Sequence, residues 1–402
     1  MRYKSVRKQQ GRPAEPEIEV LIERILPGGR GLAHAGGRTI LVSLAVPGDR
    51  VRVRLESIKG KVAFASIAEV IEPGPERIEP PCPYFGRCGG CDFQQLAYSA
   101  QLEAKAGIIS DCLRRIARIE PPREIQVTAS PLEWRYRARA QWQVDGAHKH
   151  LGYYERGSHR VCDVAECPVL VPELQQTLYG LREHMRRGSM PHEAVDFQAV
   201  AGDEGVSLAP PLNEAERLEA SRIIGENRYR FSAEGFFQIN QSLLPALVDC
   251  ALLGARGDSA IDLYCGVGLF TLPLARRFNR VKGVEGNPSA VAYARLNLKD
   301  ARLENAVIEC AGVGEWLKAN AQAHPPVDLV LLDPPRTGLE EGALHGLLAL
   351  RPRHITYVSC DPATLARDLR GLLSGGYSLA DITAFDMFPQ THHVETIAFL
   401  KA

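Results

Sequence analysis

Four short segments of this chain carry side chains whose types and spacing suit covalent chemistry. VSCDPATLARDL places Cys360 at the end of an apolar run and just before a proline-led helical stretch. A cysteine at a strand's end, ahead of a helix N-terminus, can be acidified by the helix dipole and serve as a nucleophile. FPQTHHVETIAF opens the last apolar run on Glu395, behind His392 and His393. A partly buried carboxylate with raised proton affinity can act as a general base. LLDPPRTGL sets Asp333 after an apolar run, and two prolines fix the loop that follows. DLYCGVGLFT carries Gly266-x-Gly268 between a strand and a helix, and the next apolar run ends on Glu285. Such a turn lets a ligand approach the backbone, while the acid accepts hydrogen bonds from two ribose hydroxyls. Dinucleotide and adenosylmethionine sites share this arrangement; here Thr271 replaces the third glycine that packs a pyrophosphate. Each segment alone has an ordinary explanation: a core cysteine, a turn-forming Asp-Pro, an edge glutamate, a packing glycine. All four fall in one stretch of alternating strands and helices, which favours a shared site.

A second constellation stands apart. CPYFGRCGGC gives C-x5-C-x2-C with Cys82, Cys88 and Cys91. Three cysteines within ten residues point to a metal or a cluster rather than to disulfides. By spacing alone, a four-thiolate zinc site and an iron–sulfur cluster remain rivals. The scattered cysteines read as small core residues.

The elements that must position these groups follow from periodicity. At 402 residues, two or three domains are expected. From Glu17 to Ile71, IEVLIERIL, RTILV, RVRVRLES and KVAFASIAEVI alternate between turns at PGGRG, AGG and VPGDR, the pattern of a small OB-like barrel. EPGPERIEPP reads as a stiff linker, and LAYSAQLEAKAGIISDCLRRIARI as a helix stopped by Pro121 and Pro122. A mixed middle region follows. From Gly257 onward, SAIDLYC, RVKGVE, AVIEC, VDLVLLD and HITYVS alternate with helical segments, the texture of a parallel doubly wound α/β sheet, and SLADITAFDMF and VETIAFLK add a terminal hairpin. Charge is balanced at 48 basic and 48 acidic residues, yet Met1 to Val62 holds 13 Lys or Arg against 6 Asp or Glu, a local excess suited to phosphates. No apolar run reaches the ~20 residues of a membrane span, and the basic, polar start is unlike a secretory signal. A cytoplasmic protein without membrane contact is expected.

Taken together, the quoted segments resemble the RNA uridine-5 methyltransferase family, and with the N-terminal parts its 23S rRNA (RlmD-type) branch. The resemblance covers nearly the whole chain. It implies a Rossmann-like seven-stranded methyltransferase domain over 93–124 and 233–402, an RNA-binding OB-like TRAM barrel over 14–72, and a mixed central domain over 75–92 and 125–232 bearing a 4Fe–4S cluster. It implies that Cys360 is the nucleophile and Glu395 the base, that Gln238, Tyr264, Glu285 and Asp333 contact S-adenosylmethionine, and that Cys82, Cys88, Cys91 and Cys167 hold the cluster. Cys162 is set aside, because the Pro-Val-Leu flank of the family's ligand follows Cys167. Leu269 and Gly312 depart from the family pattern on the adenine side.

The implied reaction is methylation of carbon 5 of a uridine in a single-stranded RNA loop of 23S rRNA by a monomer. Methylation of the tRNA T-loop uridine is the alternative within the family. A nicotinamide-dependent oxidoreductase would share the glycine turn and Glu285 but would not need Cys360 and Glu395. A cluster-bearing RNA-binding protein without catalysis would transfer no methyl group.

Overall fold

A computed structural model describes residues 17–190, 195–212, 218–321 and 326–402; the basic start of the chain lies outside them. The first unit is a six-stranded sheet in the order Ile18–Leu21, Arg50–Lys59, Val62–Glu72, Arg38–Ser43, Arg30–Ala35, Arg24–Leu26. Its two outermost strands are halves of one segment, expected from sequence as a single strand. The break comes at Ile22 and Glu23, whose N–H groups donate to Asp49 O on one side and Leu32 O on the other. One bent segment therefore closes the sheet on itself and removes its edges. Val20, Ile22, Ile40, Val42, Val51, Val53, Ala63 and Ala65 fill the inside. Arg30–Ala35 was not expected, because RGLAHA lacks β-branched residues. It fits because small side chains are required: a Cβ on Gly31 would meet Ala45 Cβ at 2.7 Å.

The linker after this unit is pinned rather than free. Buried Asp49 accepts from Gly74 N (2.9 Å) and from Arg77 Nε (2.8 Å). The following helix, Tyr98–Cys112, ends before the prolines, in a π-turn over Leu113–Ala117 and a left-handed Arg118 (φ 60°).

The central unit is an antiparallel five-stranded sheet, Val161–Asp163, His150–Tyr154, Arg139–Asp145, Asp196–Gly202, Gly205–Ala209. Helix Pro172–Arg187 covers it with Leu174, Leu178, Leu181 and Met185, spaced to share one face, against Trp142, Leu151 and Phe197. Each buried leucine contributes about 1.5–3 kcal/mol.

The largest sheet has eight strands, not the seven expected: Ala306–Cys310, Phe278–Glu285, Gly257–Leu263, Leu329–Leu332, His354–Ser359, Glu395–Lys401, Ser378–Phe385, Val127–Thr128. The first five are parallel, and Glu395–Lys401 is antiparallel to both neighbours. The eighth strand comes from 125–232, the range expected to lie wholly in the central domain, and pairs with Ala384 and Phe385. The hairpin Ala220–Ile224 and Asn227–Phe231, also expected there, packs its Ile224, Tyr229 and Phe231 into the core on one face of this sheet. In the central strands Leu329 and Leu331 enter one core, Val330 and Leu332 the other. Helices on both faces explain why these strands read as unbroken apolar runs. Among the described residues no helix is long and apolar enough to cross a membrane.

Candidate active site

The parallel strands end on a common edge, where ligands bind in open α/β sheets. Strand Gly257–Leu263 runs into Tyr264 (φ 60°), Gly266 (φ 54°) and Gly268 (φ 92°). A Cβ on Gly268 would press on Leu272 Cδ1 at 2.9 Å, so conformation and space both demand glycine there. Glu285 caps the turn: Gly266 N donates to its Oε2 (2.9 Å) and Asn287 N to its Oε1 (2.8 Å). Beneath it, Thr271 Oγ1 donates to Asp262 Oδ2 (2.5 Å), while Asp262 Oδ1 is buried without a partner. Burial pushes the Asp262 carboxyl up to about 8. Leu269 is buried in the core, and Gly312 caps helix Val313–Asn320, so both departures from the family pattern have packing roles.

The next two parallel strands deliver Asp333 and Cys360 to the same edge. The final strand runs the opposite way, with Thr396 opposite Ser359, so its first residue, Glu395, lies beside Cys360. Glu395 is buried with Oε1 lacking a partner, and burial, reinforced by Asp333, holds its carboxyl well above the usual carboxylate range. Burial also pushes the Asp333 carboxyl up to about 7. The Cys360 thiol is pushed up to about 12, chiefly by burial and then by Glu395 and Asp333. This corrects the expectation of a dipole-acidified cysteine. The N-terminus of helix Pro362–Ser374 is occupied by Asp361, which accepts from Ala363 N and Thr364 N (both 2.9 Å). The group that opposes the rise is Arg336, whose positive charge favours the thiolate.

The comparisons with known proteins bear on this edge. A family model described as tRNA (Uracil-5-)-methyltransferase matches residues 216–402. A protein of Alkalilimnicola ehrlichii, named 23S rRNA (uracil(1939)-C(5))-methyltransferase RlmD, is 35% identical over 98% of both chains. Its namesake from Pseudomonas putida is 34% identical over 95% of this chain and 93% of its own. The chain belongs to the RNA (uracil-5-)-methyltransferase family. The solved structure of Pyrococcus abyssi tRNA (uracil-54, C5)-methyltransferase in complex with S-adenosyl-L-homocysteine superposes with a TM-score of 0.75 at 25% identity, over 95% of this chain and 100% of that one.

For a methyltransferase of this family, the second constellation is distinct from the crevice. Cys82, Cys88, Cys91 and Cys167 line one small cavity, which Cys162 does not join. Cys162 is buried, and its Sγ accepts from Arg87 Nε (3.2 Å). Burial raises the Cys82 thiol, and pushes Cys88 and Cys167 up to about 11 and Cys91 to about 12. Among the described residues no three His, Cys, Asp or Glu side chains converge closely enough to hold one ion. The four thiols surround a cavity rather than a point.

Three features of this methyltransferase escaped the sequence reading. Arg336 lies inside the DPPRTG segment, three residues after Asp333, and only its approach to Cys360 reveals its bearing on the nucleophile. Gln238, expected at the cofactor, has its amide turned to Asp333, a pairing that the sequence reading did not foresee (Nε2 to Oδ2, 3.5 Å). Phe236, two residues before it, is 63% exposed beside a buried Phe237 that stacks on Phe231 at 4.0 Å. The signal for Phe236 was the FF pair: one ring completes a core and the other has nothing to cover it.

Proposed function

We propose that this protein methylates carbon 5 of a uridine in 23S rRNA, in the cytoplasm, through a covalent bond between Cys360 and carbon 6 of the base. The observation that carries this reading is the juxtaposition of one thiol, one buried carboxylate and an amide–carboxylate pair at the end of the sheet. Bound S-adenosylmethionine supplies an electrophilic methyl group; Tyr264, Glu285 and the Gly266 turn fit the holding of such a nucleoside, because Glu285 keeps lone pairs for ribose hydroxyls. Gln238 and Asp333 offer one donor and one acceptor side by side, which matches O4 and N3–H of uracil and mismatches cytosine.

Carbon 5 of uracil is a poor nucleophile until a thiolate adds to carbon 6. The Cys360 proton leaves toward solvent past exposed Arg336, whose charge favours the thiolate. Addition moves the ring's double-bond pair onto carbon 5, which takes the methyl group from the sulfonium and leaves the S–CH3 bonding pair on the departing thioether sulfur. Glu395 then removes the carbon-5 proton. The C–H pair re-forms the double bond, and the C–S pair returns to Cys360. The elevated proton affinity of Glu395 makes it a strong base once ionised. Both ring faces must be reached, so the uridine leaves its stack, and an exposed ring such as Phe236 is suited to fill the gap.

The four-cysteine cavity fits a 4Fe–4S cluster, since four thiolates around a cavity suit a cubane better than a single zinc ion, whose ligands must converge. Cys82, Cys88, Cys91 and Cys167 would hold it, in a structural role. The closed N-terminal sheet fits an OB-like TRAM module. Its basic excess is partly spent: Arg50, Arg52 and Arg54 pair with Glu72, Glu69 and Glu17. Arg30 and Lys59 instead flank Phe64, with Arg30 Cζ 4.7 Å and Lys59 Nζ 5.9 Å from the ring, a surface suited to RNA. The full-length similarity to the rRNA-modifying relatives favours 23S rRNA over tRNA. Mapping 5-methyluridine in rRNA and tRNA from cells lacking the gene tests this. Loss from tRNA alone would overturn it.

A further inference from the structure

The segment that bears the first three cysteines does more than line a cavity. Directly after Cys91, Asp92 reaches the loop that leads into Glu395. Its Oδ1 accepts from His392 N (2.8 Å), and its Oδ2 pairs with His392 Nδ1 (2.5 Å). One carboxylate thus holds both the backbone and the ring of a residue three positions before the base. The backbone agrees: Asp92 N and Phe93 N both donate to Gln390 O (3.1 and 3.0 Å). Gln390 is buried and left-handed (φ 67°), a conformation that persists in a non-glycine residue only where its surroundings impose it. Gln101, on the helix after the cysteines, imposes it through two bonds with Gln390, each 3.0 Å. One turn on, buried Lys105 pairs with buried Asp386 (2.5 Å) and donates to Phe388 O (3.1 Å). The N-terminal unit meets the same point, since a Cβ on Gly29 would strike His392 Cβ at 2.8 Å.

We infer that Asp92 and His392 form a clasp through which the cysteine-bearing loop positions Glu395 for proton removal. Both are positioning residues. The clasp bears on one step because the two reacting groups have different supports. Cys360 ends a parallel strand and is followed by a helix capped by Asp361. Glu395 follows the braced loop, and its Oε1 has no hydrogen bond to fix its aim. Releasing the clasp therefore leaves addition and methyl transfer close to normal and slows the release of methylated product from Cys360. This rests on the reading of Glu395 as the base.

The experiment compares wild type, Glu395→Gln, His392→Ala and His392→Asn in single turnovers with tritiated S-adenosylmethionine and unmodified transcripts of 23S rRNA and of tRNA. Methyl incorporation, protein–RNA adduct on a denaturing gel, and visible absorbance of the protein are followed together. His392→Ala is expected to incorporate methyl near the wild-type rate and to release product about 10- to 100-fold more slowly, the cost of an ångström-scale misplacement. Adduct accumulates while absorbance is unchanged. His392→Asn, whose amide N–H can take the place of ring Nδ1, should restore release. Adduct in Glu395→Gln with wild-type release in His392→Ala overturns the clasp alone. Equal loss of incorporation and release in His392→Ala, not relieved in His392→Asn, also overturns it. Absence of adduct in Glu395→Gln overturns the base assignment and the clasp with it.

Discussion

The crevice and the cysteine cavity use the same residue type to opposite ends. In both, buried thiols are pushed well above the ordinary range, and in both the leading cause is loss of water. They differ in company. Cys360 shares its surroundings with Glu395 and Asp333, and one exposed cation, Arg336, reaches it. Cys82, Cys88, Cys91 and Cys167 face one another and half-buried Arg137. A lone thiol among proton acceptors at an open edge suits a nucleophile that must be made and released. Four thiols in a closed cavity suit ligands whose charge a metal group neutralises. Neighbours decide which a cysteine becomes.

The most severe way to break this contrast is to exchange the groups' consequences. Cys360→Ala is expected to lower methyl transfer by about four orders of magnitude or more and to form no RNA adduct. Glu395→Gln should form an adduct that requires S-adenosylmethionine and releases slowly. Adduct in Cys360→Ala would move the nucleophile elsewhere. Cys360→Ala should leave the thermal midpoint near wild type, because it unburies no partner.

Substitution in the cavity should do the reverse. Cys88→Ser is expected to bleach anaerobically purified, brown protein and to cost about 3 kcal/mol, lowering Tm by roughly 6–12 °C. Colourless wild-type protein with one zinc per chain would replace the cluster while keeping the cavity structural.

A milder difference lies in pH dependence. Burial pushes the Asp333 carboxyl up to about 7, and burial with the Asp333 charge holds Glu395 well above the usual carboxylate range. With ionised Asp333 as the working form, kcat/KM rises about tenfold per pH unit below about 7, and more steeply where Glu395 must ionise as well. A flat profile from pH 5.5 to 7.5 would remove these carboxylates from the rate-limiting chemistry. The smallest effect concerns Asp262. Its folded value of about 8 lies above that of an ordinary aspartate, so protonation favours the folded state, and stability is lost as pH rises from about 4 through 8. Asp262→Asn keeps the bond from Thr271 and does not titrate, so its Tm should exceed wild type by a margin that widens from pH 5 to pH 8. A constant margin would contradict the burial argument.

Local chemistry was legible where spacing is short-range. The glycine turn, the Asp-Pro-Pro loop and the C-x5-C-x2-C run are each contiguous, and their backbone demands show directly in residue type. The eighth strand, Val127–Thr128, was not legible, because two residues carry no periodicity and their pairing depends on a partner about 257 positions later. RGLAHA was not legible as a strand, because its place depends on small residues fitting a tightly closed sheet. Asp92 and His392, 300 positions apart, showed no relation until folded.

The sequence by itself determined the sheet texture, the candidate nucleophile and base, the three-cysteine run and the family they resemble, since each motif spans no more than about a dozen positions. Only the tertiary structure decided which of them meet. The antiparallel return of Glu395–Lys401 beside His354–Ser359 sets the base next to the thiol. Burial, a property of the whole core, raised the Cys360 thiol that local reading had expected to be acidic. Pairing across a sheet and exclusion of water depend on distant chain segments, and neither is encoded in the neighbours of a single residue.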